Sequence, residues 1–266
     1  YPVKSCAGIL LDASEVGSTG LHLDRRWMLV DEDGRFISQR KVPAMARLQC
    51  SAMPGGIQVH HEEGLPLQLS EATDVAGAPR EVRLLSQTRM ARDRGEEAAA
   101  WFSKAIGQPC RLVEAIPEED PWRIHEPEGE GETTYFPDLY PVLLTSEATL
   151  QALFPGGKIE MARFRPNLVL GGAEPFLEDQ WDTLQIGSMV ISLVKPCVRC
   201  AITTVDPETG IFEGQEPLRT LAKARSWNGK GVFGWNAIVR TPGRITSGNS
   251  VRCLKLRNPA VAIGRR

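Results

Sequence analysis

The sequence has no apolar run approaching the roughly 20 residues that a membrane helix needs, and no charged-then-apolar leader opens it. Neither a membrane span nor a secretion signal is expected. Cysteine is scarce, with six in 266 residues, which argues against a disulfide-stapled secreted scaffold and for a reducing compartment, the cytoplasm by default. An excess of either charge is missing too: 31 basic residues face 33 acidic ones, for a formal net charge of -2. Without a global positive field the chain is not expected to gather nucleic acid or anionic membrane, and any anion site must be local. No Gly-x-Gly-x-x-Gly turn occurs, so a dinucleotide site is not expected; Gly55-Gly56, Gly156-Gly157 and Gly171-Gly172 read as turns or strand ends. There is no internal repeat.

What is present is enough apolar side chain, 42% of residues, to fill a substantial core. Short β-type runs separated by turn residues dominate the first half. Trp27 to Val30, the turn Asp31 to Gly34, and Arg35 to Ser38 read as a hairpin. Gly56 to His60 and Val82 to Leu85 continue the pattern. An amphipathic helix fits Arg94 to Ile106, with Trp101, Phe102, Ala105 and Ile106 on one face and Gly107 past its end. Residues 114 to 137, rich in Glu, Pro and Gly, read as an exposed loop and a junction between subdomains. Beyond it, a helix is expected to start at the N-cap Ser146 and to turn Leu150 and Leu153 inward. Strands are expected over residues 167–170, 184–186, 189–194, 236–240 and 250–255, with a last helix from Glu216. This predicts a mainly β fold with some helices (α+β), divided into residues 1–115 and 116–266.

Cys197-Val-Arg-Cys200 follows a strongly β run, so a thiol is expected where a rigid strand hands over to a loop. Zinc fails on ligand count, because no second Cys-x-x-Cys or His-x-x-x-His accompanies it. A thioredoxin-like redox motif fails on context, because Ala201 to Val205 is rich in β-branched residues and reads as strand rather than as the opening of a helix. From spacing alone, two ordinary packed cysteines remain an open reading. His60-His61 reads as a solvated or packed pair in a strand.

Four segments appear in register: Tyr1-Pro-Val-Lys-Ser5, Asp24-Arg-Arg-Trp27, Arg163-Phe-Arg-Pro-Asn167 and Lys195-Pro-Cys-Val-Arg-Cys-Ala-Ile-Thr-Thr-Val-Asp-Pro-Glu-Thr-Gly210. Together they resemble the MOSC-domain proteins, and within them the branch containing the mitochondrial amidoxime-reducing component and the bacterial YcbX-like proteins. The resemblance implies an N-terminal β-barrel subdomain followed by a MOSC β-barrel domain, with the first strand of the chain contributing to the cofactor site. It also implies a mononuclear molybdenum held by a pterin dithiolene (molybdopterin) and by one cysteine, here Cys200. A soft thiolate suits a metal that already carries sulfur. Lys4, Ser5 and Arg25 match the residues that hold the cofactor phosphate. Arg165 and Asn167 match the family's pterin-contacting stretch; Thr145 and Ser146, at a helix N-terminus, offer hydroxyls and free amides to an anion or a pterin edge, and Asn236 is a further cofactor-binding candidate.

Asp206 is the carboxylate nominated for positioning or proton delivery, against the plainer reading of a turn residue before Pro207. Trp235 stands where the family commonly has Gln, and its indole is expected to narrow the pocket or offer a stacking face. The chain carries no Cys-x4-Cys-x2-Cys run, so no iron-sulfur cluster is expected. Electrons would then come from a separate ferredoxin-, flavodoxin- or cytochrome-like protein. The activity implied is reduction of small N-hydroxylated compounds such as amidoximes, hydroxylamines and N-hydroxylated bases. The alternative is a carrier of sulfur or molybdenum cofactor without turnover.

Overall fold

The computed structural model describes residues 1–62, 64–72, 77–116, 122–124, 132–137, 139–258 and 261–264. The strand Trp27–Val30 explains how its part of the fold is built: all four residues are buried. Alternation sends Trp27 and Leu29 into one apolar cluster and Met28 and Val30 into another, so a four-residue strand serves two cores at once. It is one edge of an antiparallel four-stranded sheet, followed in order by Arg111–Ala115, Gln87–Asp93 and Pro79–Leu84. Helix α1 (Gly95–Ile106) closes the first core with Ala98, Phe102 and Ile106. Gly107 ends the helix in the left-handed conformation at φ 72, where a side chain would be strained. A three-stranded sheet of Gln49–Met53, Gly56–His60 and Leu67–Ser70 completes this half.

The second half is built on a sheet with the order Leu168–Leu170, Val142–Ser146, Lys230–Thr241, Met189–Val198, Trp181–Ile186, Val251–Leu256. Only the contact between Val142–Ser146 and Leu168–Leu170 is parallel. Helix α2 (Glu147–Leu153) starts at Ser146, whose hydroxyl accepts the Thr149 amide. Helix α3 (Leu218–Ala224) follows Pro217. The two halves interlock, because the early strand Ala13–Gly17 pairs with Gly243–Thr246 and buries Val16 in the second core.

Three expectations need correcting. The second arm of the hairpin, residues 35–38, is reduced to two isolated bridges, Phe36 to Val30 and Arg35 to Arg83. The segment 114–137 is not simply an exposed loop. Glu114, Ala115, Ile116, Trp122, Ile124 and Phe136 are buried, and Trp122 meets Phe136 edge to face at 5.5 Å; average composition hid these apolar anchors, while residues 117–121 and 125–131 lie outside the described set. Finally, Ala201–Thr204 is a 3-10 turn rather than strand. The hydroxyls of Thr203 and Thr204 donate back to the carbonyls of Cys200 and Ala201 at 2.9 and 2.8 Å, which stabilises a turn that β-branched residues otherwise disfavour.

Candidate functional site

The strand Met189–Val198 carries Cys197 near its end, and Cys200 occupies the N-cap position of the 3-10 turn. Both thiols are half-buried, whereas Cys6, Cys50 and Cys110 are buried in the first half. Burial pushes the Cys50 thiol up to about 11 and the Cys6 thiol well up, so these two stay protonated and unreactive. The Cys200 sulfur has the Arg40 Nη1 at 3.7 Å, and the Cys197 sulfur accepts from Arg199 Nη1 at 2.9 Å.

Arginines also fasten this loop to the motif of residues 163–167. Arg199 Nη2 donates to the Phe164 carbonyl at 2.6 Å and stacks on that ring. Arg163 bridges Asp206 and Glu213 at 2.7 and 2.6 Å. Asp206 Oδ1 also accepts the amides of Glu208 and Thr209 and the Thr209 hydroxyl. These bonds, the Thr209 amide first, hold its carboxyl below the usual range. It is therefore a turn residue whose other oxygen holds Arg163.

The turn Met161–Phe164 ends at Arg165, which is left-handed at φ 55, and the Arg165 carbonyl accepts from Arg25 Nη2 at 3.0 Å. Arg25 (φ 48) and Ser5 (φ 68) are left-handed too, so three of the seven positive-φ non-glycine residues among those described are expected cofactor ligands. Backbone in this region costs roughly 1–2 kcal/mol for a residue other than glycine. Arg25 Nη1 binds Asp24 at 2.5 Å. Burial raises the Asp24 pKa, but the Arg25 charge and hydrogen bonds from Arg25 and Asn167 outweigh it and leave the carboxyl ionised. Burial lowers the Arg165 pKa, and its Nη2 is closed to solvent with no hydrogen-bond partner among the described residues. A cleft of about 800 Å³ opens beside it, walled by Arg163, Arg165 and Asn167 on one side and by Ile202 and Val205 on another.

The remaining expected residues stand further back. Lys4 is buried, and its ammonium donates to the Phe136 carbonyl at 2.9 Å. Thr145 and Ser146 are fully buried: the first donates to Met161 Sδ and the Leu168 carbonyl, and the second caps α2. Asn167 imitates a strand partner, with its Oδ1 on the Leu143 amide and its own amide on the Leu143 carbonyl. Asn236 lies between Leu143 and Lys195 in the long strand. Trp235 corrects its expectation: it is fully buried, its indole donates to Asp179 at 2.8 Å, and Arg257 covers its ring at 4.1 Å. Sheet register turns it into the core, away from the cleft. Tyr1, Arg40, Arg163 and Arg199 were not singled out for a role by sequence; arginines at both motifs were the available signal for the last two.

The MOSC N-terminal beta barrel domain matches residues 1–109 and the MOSC domain residues 132–252. The mitochondrial amidoxime-reducing component 1 of Homo sapiens is 31% identical over 96% of this chain and 81% of its own length. The chain belongs to the MOSC family. Among its other MOSC relatives, mitochondrial amidoxime-reducing component 1 of Danio rerio is 31% identical over 94% of this chain and 82% of its own length. Mitochondrial amidoxime reducing component 2 of Rattus norvegicus is 34% identical over 85% and 70%. Like the sequence, the described MOSC structure contains no helix long and apolar enough to cross a membrane.

Proposed function

We propose that this chain is a molybdenum-pterin-dependent reductase of N-hydroxylated compounds, with Cys200 as the protein ligand to the metal. The names of its relatives support reduction of amidoximes. The observation that carries the reading is the convergence of four distant segments. Arg199 and Asp206 are tied to Phe164 and Arg163, the Arg165 carbonyl to the Arg25 guanidinium, and the Arg25 amide to the Tyr1 carbonyl.

The residues present fit the cofactor. Lysine, serine and arginine are the donors that phosphate oxygens call for, and the unpartnered Arg165 Nη2 at the cleft wall is a buried donor that lacks an acceptor. Among the described residues no group of three or more His, Cys, Asp or Glu could hold a bare metal ion. A lone thiol therefore suits a metal that arrives with its own sulfur ligands.

When bound, the cofactor supplies a two-electron couple and an acceptor for the substrate oxygen. The balance for an amidoxime is substrate plus two electrons and two protons giving amidine and water. The chain's part is to bind and orient. Arg40 places a positive charge beside the Cys200 sulfur; Lys4, Ser5 and Arg25 would hold the phosphate, and Arg165, tied to Arg25 through its carbonyl, together with Asn167 would hold the adjoining pterin. Thr145, Ser146 and Asn236 form the supporting strands behind them. Electrons enter from a separate ferredoxin-, flavodoxin- or cytochrome-like donor.

The test is benzamidoxime reduction with a chemical electron donor by protein made in a host that synthesises molybdopterin, alongside metal analysis. Cys200→Ser should abolish turnover with the fold intact, because a hard hydroxyl replaces a soft thiolate, and Cys197→Ser should be milder. Stoichiometric molybdenum without turnover would indicate a carrier instead. Zinc in place of molybdenum would overturn the reading.

A further inference from the structure

Tyr1 stands in the first motif but has no role so far. Its ring lies under both site guanidiniums, with Arg165 Cζ at 4.3 Å and Arg25 Cζ at 4.6 Å from the ring centroid. Two arginines on one ring repel each other, and each is held from behind: Arg25 by Asp24 and by the Arg165 carbonyl, Arg165 by its backbone turn. The ring's negative faces offset that repulsion and fix both planes. Space for the ring is provided by Gly8, where a Cβ would stand 2.7 Å from the ring's Cε1 and 2.9 Å from its Cζ. The backbone amide at Tyr1 accepts Arg25 N through its carbonyl at 2.8 Å, and the Tyr1 nitrogen donates to Asp24 at 3.1 Å. Ring and backbone together therefore fix the same arginine.

We propose that Tyr1 is a positioning residue whose ring holds Arg25 and Arg165 as one paired receptor for the anionic end of the cofactor, with Gly8 as the gap that admits the ring. The proposal rests on the assignment of this cleft to a phosphate-bearing cofactor, and not on the reaction performed there. Neither Tyr1 nor Gly8 need touch the cofactor; they act through the two guanidiniums.

The test compares Tyr1→Leu, Tyr1→Phe and Gly8→Ala in the full chain. Three readouts are taken: molybdenum content after production in a molybdopterin-competent host, calorimetric affinity of cofactor-free protein for pyrophosphate, and the thermal midpoint. Tyr1→Leu keeps apolar bulk but loses the π face, and should weaken pyrophosphate binding by about 10-fold, the scale of a cation-π contact, with molybdenum content falling in step. Tyr1→Phe should restore both to within about 2-fold, because the ring and not the hydroxyl is used. Gly8→Ala, which crowds the ring from the other side, should fall between them; it keeps the test decisive should Tyr1→Leu fail to fold. Wild-type affinity in Tyr1→Leu or Gly8→Ala, or a Tyr1→Phe as weak as Tyr1→Leu, would overturn the proposal. Lost pyrophosphate binding with full molybdenum content would also overturn it, by assigning the pair to a free anion. A chain without reductase activity that still shows the predicted order would keep this inference and sink the reaction assignment.

Discussion

Arg26 directs its guanidinium into the protein, with Nε on Glu114 at 2.6 Å and Nη2 on the Glu71 carbonyl at 3.1 Å. Arg94 takes the other Glu114 oxygen at 2.6 Å and the Ser70 carbonyl at 3.0 Å. Arg25, one residue earlier, sits in left-handed backbone above Tyr1, beside an Arg165 with an unused donor. The first cluster meets its polar demands inside the fold, and the second leaves them open at a cleft. Buried charge of the first kind holds a structure together; charge of the second kind, combined with strained backbone, is what a binding site looks like before its ligand is considered.

Breaking the closed cluster should have the largest effect on folding. Glu114→Ala leaves two arginines facing a fully buried gap and should cost about 3–5 kcal/mol in urea unfolding. A cost below about 1 kcal/mol would mean water or neighbouring carbonyls already satisfy those guanidiniums. The neighbouring arginines offer a paired comparison. Arg25→Lys should weaken pyrophosphate or cofactor binding by roughly 10-fold, because a point charge lacks the fork and the flat face, while the unfolding free energy moves by less than about 1 kcal/mol. Arg26→Lys should show the opposite pattern, losing stability through its missing second bond and sparing affinity. Identical behaviour of the two would erase the distinction. The smallest effect is expected at Ser5: Ser5→Gly relieves left-handed strain and should leave stability within about 1 kcal/mol of the parent, yet lower cofactor retention by about 2- to 10-fold through the lost hydroxyl.

How legible each cluster was in the sequence follows from the range of its interactions. Ser146 as an N-cap, Gly107 as a helix stop and Gly56 to His60 as a strand are local chemistry, and the structure has them as expected. The MOSC fold was legible through four ordered motifs. The site arginines Arg40, Arg163 and Arg199 were visible only as residues in or near the motifs, because their partners Cys200, Asp206 with Glu213, and Phe164 lie far away in the chain. Trp235 failed because one residue of strand register decides which face a side chain takes. Ala201–Thr204 failed because hydroxyl bonds back to the chain overrode β preference.

The pairing of Ala13–Gly17 with Gly243–Thr246 has a consequence for how the chain is made. A strand that leaves the ribosome near the beginning must wait for a partner near the end, at about 5–20 residues per second a delay of roughly 10 to 45 s. During that interval its backbone edge and Val16 have no native neighbour, and the Tyr1 to Leu21 segment cannot be drawn fully onto the second half. The cleft, bounded by Ala13, Ser14, Ile245 and Asn249 as well as by Arg165, is thus among the last features to close in synthesis. A truncated product lacking the final strands should leave the early strand open to chaperones and proteases, even where the α1 subdomain has already formed.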